Sequence, residues 1–151
     1  MRINDEQRKV LAELATDHGL RFIALFGSQA DGGARENSDY DIAIMSKLPR
    51  PLYNDLGRFG QILSRLSAIL QIAETKLDLT DLHNEDILHR YQIVLNGKLL
   101  AGDEDDYENF RAFVIREYQG ASALRELETA VINRRQELLA KALAQPRARR
   151  V

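Results

Sequence analysis

The sequence predicts an α/β (α+β) fold: a small mixed β-sheet with helices on one side, followed by a long C-terminal helical segment. Three observations carry this. Two β-rich segments, Arg21–Phe26 and Tyr40–Met45, flank a polar stretch containing Gly32 and Gly33. Apolar residues at helical spacing precede and follow them. Beyond the acidic run Asp103–Asp106 the chain reads as helix as far as Pro146.

Taken in order, Asn4 or Asp5 can cap a first helix in which Val10, Leu11 and Leu14 recur on one face, and Gly19 ends it. The first strand follows and Gly27 stops it; the second is Tyr40–Met45. Pro49 and Pro51 break the chain ahead of an amphipathic helix over Asn54–Ile72, with Leu56, Phe59, Ile62, Leu63, Leu66, Ile69 and Leu70 on one stripe. Lys76–Leu82 alternates apolar and polar residues, as a half-buried strand does. A helix over Glu85–Leu95 ends at Asn96-Gly97, and Lys98–Ala101 reads as a short edge strand. The acidic run suits the positive end of the final helix, which reaches Ala144 and is weakened near Gly120. Its apolar residues (Phe110, Phe113, Val114, Leu124, Leu127, Val131, Leu138, Leu139) fit either core against the sheet or, in the last turns, a partner surface. One domain over residues 1–145 is expected, then a basic disordered tail, 146–151, with Arg147, Arg149 and Arg150.

Composition narrows the function. A chain of 151 residues that is 44% hydrophobic can bury a core, and its formal net charge of −2 provides no global field for nucleic acid. This argues against a polymerase or a non-specific RNA binder. The absence of cysteine excludes disulfides, thiolate metal sites and cysteine nucleophiles. The N-terminal residues lack the apolar core of a signal peptide, and no apolar run approaches the roughly 18 residues of a membrane span, so a cytoplasmic location is expected.

The chemistry concentrates in Gly27-Ser28, ten residues, then Asp39-Tyr40-Asp41. Strand alternation puts Asp39 and Asp41 on one face while Ile42 and Ile44 face the core. Two carboxylates so close repel unless a cation lies between them, and oxygen ligands favour Mg²⁺ or Mn²⁺ over zinc. Gly27 lets the backbone approach a phosphate, and Ser28 offers an amide and a hydroxyl. A helical turn starting there would aim its positive end at the triphosphate. No Gly-Lys-Ser/Thr follows, so this is not a P-loop. In Lys76–Leu82, Leu77 and Leu79 share one face with Asp81, whereas Asp78 lies on the other; alternation therefore selects Asp78 as the third carboxylate, able to accept the proton of an attacking hydroxyl. His18, His83 and His89 show no metal-ligand spacing and read as helix-end or surface residues. Tyr40 reads as core; Tyr53, Tyr91, Tyr107 and Tyr118 fit helix packing, with contact to an adenine or a partner as the alternative.

Gly27-Ser28-x10-Asp39-x-Asp41 followed by Leu77-Asp78-Leu79 resembles the signature of the DNA polymerase β-like nucleotidyltransferase superfamily. In length and element order the chain is similar to the minimal nucleotidyltransferases (MNT), and among them to the MntA-type antitoxins paired with HEPN-domain toxins. Gly32, Ala34, Arg35 and Ser38 match the usual connecting segment. The resemblance implies that Asp39, Asp41 and Asp78 hold two Mg²⁺ ions, with Gly27, Ser28, Arg35 and Ser38 binding the nucleotide, ATP. An acceptor hydroxyl then attacks the α-phosphorus and pyrophosphate leaves. Members often carry basic residues where this chain has Gln29 and Asp31, so neutralisation of the outer phosphates falls to Arg35 or Arg21, Arg35 being better placed; Arg35 reads equally as a surface residue.

Three acceptor readings follow. In the first, AMP goes to a tyrosine of a cognate HEPN ribonuclease toxin, the partner, and silences it. In the second, the chain is an aminoglycoside-type small-molecule nucleotidyltransferase; the roughly fifty residues after Gly102 are short for the helical acceptor domain such enzymes add. In the third, it is an antitoxin that acts by binding alone. The chain lacks the Arg-x4-His motif of the toxin half.

Overall fold

A computed structural model describes residues 3–33, 38–49 and 51–144 of the chain. The expected basic tail over 146–151 lies outside the described residues. Two compact units result, Met1–Ile115 and Arg116–Val151.

The first unit opens with helix α1 (Asp5–Asp17). Asn4 is its N-cap: the Asn4 side chain accepts from the Gln7 N–H while the Gln7 side chain accepts from the Asn4 N–H, a reciprocal capping box. Strand β1 (Leu20–Phe26), the single turn of helix α2 (Ser28–Asp31) and strand β2 (Tyr40–Ser46) follow. A 3-10 turn at Leu52–Asn54 leads to α3 (Leu56–Leu70), which is capped by the Asp55 carboxylate. Strand β3 (Leu77–Asp81), helix α4 (Ile87–Asn96) and strand β4 (Lys98–Gly102) precede α5 (Glu104–Ala144).

The four strands form one mixed sheet in the order β3-β2-β1-β4. β1 pairs antiparallel with both β2 and β4, and β2 pairs parallel with β3. The sheet differs from expectation in one respect: helices cover both faces. On one face Ile23 and Leu25 of β1, Ile42 and Ile44 of β2 and Leu77 and Leu79 of β3 pack with α1 and α3. On the other, Phe22, Ala24, Ala43 and Met45 are equally apolar and pack with Ile93 and Val94 of α4 and Tyr107, Phe110 and Val114 of α5. Central strands that are apolar on both sides need a layer on each.

Smaller corrections follow the same logic. Leu56 was expected on the buried stripe of α3 but is the first residue of that helix and is 75% exposed, whereas Ile62, Leu66 and Leu70 are buried. Gly120 does not interrupt α5; an exposed glycine costs a helix only about 1 kcal/mol relative to alanine. Of the apolar stripe expected along α5, Phe110 and Val114 are core, while Leu124, Leu127, Val131, Leu138 and Leu139 in the second unit are exposed. Among the described residues no helix is long and apolar enough to cross a membrane.

Candidate functional site

β1 ends at Phe26, opposite Asp41 in the antiparallel ladder. The chain then turns at Gly27, with φ 65° and ψ −156°, a region open essentially only to glycine. A β-carbon at Gly27 would lie 2.2 Å from Oδ2 of Asp41 and 3.0 Å from its Cγ. The carboxylate therefore rests directly against the glycine backbone, which gives the glycine a second reason to be there. Ser28 opens α2, whose Ala30 and Asp31 amides donate back to the Gly27 carbonyl. The turn expected from the sequence is thus a single helical turn with its N-terminus at the glycine.

The third carboxylate lies where strand alternation puts it. Asp41 and Asp78 are register partners across the parallel β2–β3 pair, on the face opposite the Ile42–Leu79 core contact. Asp39 sits just ahead of β2 and is exposed, Asp41 is partly buried, and Asp78 is exposed on β3, an edge strand. Partial burial pushes the Asp41 carboxyl above the usual carboxylate range, and the negative charges of Asp78 and Asp39 push it the same way. This concentration of like charge is what a hard cation relieves, and every donor in the set is oxygen, so the residues fit Mg²⁺. Among the described residues they share one patch but do not converge into a ready-made three-ligand cage.

Asp81 has a different role. It is fully buried, and its carboxylate accepts from the Leu52 N–H at 2.5 Å and the His83 N–H at 3.0 Å. It anchors the segment after Pro51 and the turn that leaves β3. Nothing in the alternation pointed to this anchoring.

Of the residues expected to bind nucleotide, Gly27 and Ser28 form the turn and Ser38 closes the far end of the connection, where its carbonyl accepts from the Gln29 side chain at 3.3 Å. Arg35 lies outside the described residues. Arg21, the other candidate for the outer phosphates, is committed elsewhere: it grips Asp106 through two hydrogen bonds of 2.9 and 2.5 Å.

The helix expected over Glu85–Leu95 is α4, but its place beside the glycine turn was not expected. His89, Gln92, Ile93 and Asn96 line a cavity of about 370 Å³ together with Phe26, Gly27 and Asp31. His89 pairs with Glu85 one turn earlier and meets the Phe26 ring edge-on, with centroids 6.4 Å apart. The available signal was the helical spacing of His89, Gln92 and Asn96, which puts three polar side chains on one face.

Residues 8–106 match the family described as Polymerase beta, Nucleotidyltransferase. The chain is 32% identical over 107 residues to Protein adenylyltransferase MntA of Shewanella oneidensis, covering 71% of this chain and 72% of the relative. A crystal structure of a toxin-antitoxin with AMP-PNP matches at 28% identity with TM-score 0.62, covering 85% of this chain and 98% of that one. A tri-AMPylated Shewanella oneidensis HEPN toxin in complex with MNT antitoxin matches at 26% identity with TM-score 0.57, covering 84% of this chain and 96% of that one.

Proposed function

Because this chain belongs to the polymerase β nucleotidyltransferase family, we propose that it is the antitoxin of a HEPN/MNT pair, transferring AMP from ATP to a tyrosine hydroxyl of its cognate HEPN-domain toxin and so inactivating it. One observation carries the reading: the Asp41 carboxylate lies against Gly27 and beside Asp78, so a phosphate-binding turn and the carboxylates share one sheet face. The relative from Shewanella oneidensis bears the name of a protein adenylyltransferase, and the matching solved structures hold an ATP analogue and an AMPylated HEPN toxin, which supports both substrates.

In this reading Gly27 and Ser28 hold the outer phosphates, with the Ser28 amide and hydroxyl as donors and the missing glycine side chain allowing close approach. Asp39, Asp41 and Asp78 would hold Mg²⁺, which when bound neutralises the phosphate oxygens and stabilises the entering and leaving groups. Asp78 accepts the proton of the acceptor hydroxyl; its exposure on the edge strand leaves it open to a hydroxyl presented by another macromolecule. The bond formed joins that oxygen to the α-phosphorus, the bond broken is the α–β phosphoanhydride, and pyrophosphate departs.

The test is label transfer. The protein is incubated with α-labelled ATP, Mg²⁺ and the product of the neighbouring gene, as wild type and as Asp39→Ala/Asp41→Ala. Label on the partner with wild type alone supports the reading. Toxin neutralisation that survives the double substitution points to binding alone, and label on an added aminoglycoside but not on protein points to a small-molecule acceptor.

A further inference from the structure

The apolar face of the second half of α5 takes no part in the chemistry described so far. Leu124, Leu127, Val131, Ile132, Leu138 and Leu139 are each 53–62% exposed, and all belong to the second unit. We propose that this face binds a second copy of the chain, the two helices running antiparallel with Glu128 of each against Arg135 of the other. The proposal concerns assembly and stands independently of AMP transfer.

The pattern comes first. With about 100° of rotation per residue, the stretch from Leu124 to Leu139 divides into two faces. An arc of roughly 140° holds the six large apolar side chains and two charges, Glu128 and Arg135. The remaining positions are polar apart from Ala130. A helix so divided owes its stability mainly to whatever covers the apolar stripe, rather than to propensity. Among the described residues nothing covers it.

The two charges identify the occupant. Glu128 and Arg135 are about 10 Å apart along the axis, too far to pair with each other, and they flank Val131 and Ile132 symmetrically. Turning a second copy end for end about the midpoint between Val131 and Ile132 therefore sets Glu128 of each helix opposite Arg135 of the other. Two equivalent ion pairs result. The same operation puts Leu124 opposite Leu139 and Leu127 beside Leu138. Sidedness agrees as well: both charges lie on one flank of the stripe, Leu127 and Leu138 lie on the other, and in an antiparallel pair like flanks meet.

A parallel pair fails on the same residues. It would set Glu128 against Glu128 and Arg135 against Arg135 inside an apolar seam, where like charges are most costly. Polar groups placed within such a seam fix orientation and register. A surface that is complementary to itself after a two-fold rotation is what an isologous contact requires. The neighbouring cation, Arg134, lies outside the stripe and pairs with Glu137 of its own helix, which leaves Arg135 as the cation that faces the seam. The contact from Leu124 to Leu139 runs for roughly 23 Å, so a dimer held by it depends on protein concentration.

The experiment is sedimentation equilibrium of the full chain over a concentration series, for wild type, Glu128→Arg, Arg135→Glu and the double swap Glu128→Arg/Arg135→Glu. Both residues are exposed in the single chain. Wild type should form a dimer. Each single swap sets like charges opposite each other twice and should weaken the dimer at least about tenfold. The double swap should return it to within a few-fold of wild type. An equimolar mixture of the two single variants should also dimerise, which a variant that had failed to fold could not do. A wild type that stays monomeric at every concentration overturns the proposal. So does a dimer indifferent to the single swaps, which would use another face or a parallel alignment, and so does a double swap that restores nothing. Single swaps that abolish binding of the HEPN partner to a monomeric chain overturn it by assigning the face to that partner. AMP transfer, measured separately, reports on the catalytic reading alone.

Discussion

Replacing Gly27 by alanine tests the link between the phosphate turn and the carboxylates. The substitution acts twice. The backbone at φ 65°, ψ −156° is strained for any residue with a β-carbon, at a cost on the order of 1–3 kcal/mol. The new methyl would also stand 2.2 Å from Oδ2 of Asp41, where ordinary contact begins at 3.4 Å, so the carboxylate or the turn must move by roughly 1 Å. A displacement of that size in a reacting constellation costs on the order of 100-fold in rate. Urea denaturation and initial rates of AMP transfer, measured on one preparation, separate the effects. The expectation is a loss of stability within the strain range and a fall in kcat/KM of about two orders of magnitude, not rescued by raising ATP alone. Wild-type rates in a stably folded Gly27→Ala protein would refute the reasoning, because the close approach of Asp41 would then have no catalytic consequence.

Three further expectations follow. Asp41→Asn removes a partly buried charge that its neighbours disfavour, so its thermal midpoint should equal or exceed that of wild type while transfer is lost; a marked drop in midpoint would contradict the electrostatic account. The buried Tyr107 hydroxyl lacks a hydrogen-bond partner among the described residues, so Tyr107→Phe should leave stability unchanged or raise it by up to about 1 kcal/mol in urea denaturation, and a clear loss would reveal a missed partner. The Arg21 guanidinium beside Asp106 holds that carboxyl below the usual carboxylate range, so the pair's contribution is present above the unfolded pKa of about 3.9 and is lost as pH falls through the lower folded value. Denaturation curves of wild type and Asp106→Asn should accordingly differ at pH 7 and converge in strong acid; a gap that persists there would argue against the linkage.

Much of the site was legible because strand alternation is a strict rule. Ile42 and Ile44 fix the inward face of β2, and Leu77 and Leu79 fix that of β3, which leaves Asp41 and Asp78 on the same outward side. That the two strands are parallel neighbours is a matter of long-range pairing, for which neither segment carries a local signal. The second helical layer was missed for a related reason: Phe22, Ala24, Ala43 and Met45 are apolar, but an uninterrupted apolar strand does not say which helix covers it. Arg21 looked available from its position at the start of β1, and only the fold brings Asp106 to it. Amides such as Gln92 and Asn96 give no motif at all, and only the fold brings them to the cavity beside Gly27.

The most direct test of the central claim is intact-mass analysis of the purified HEPN partner after incubation with this protein, ATP and Mg²⁺, followed by mapping of the modified residue. The account predicts that the partner gains one or more AMP units on tyrosine, and that none appear with Asp39→Ala/Asp41→Ala or with Asp78→Ala. An unmodified partner whose ribonuclease activity is nevertheless suppressed would contradict it.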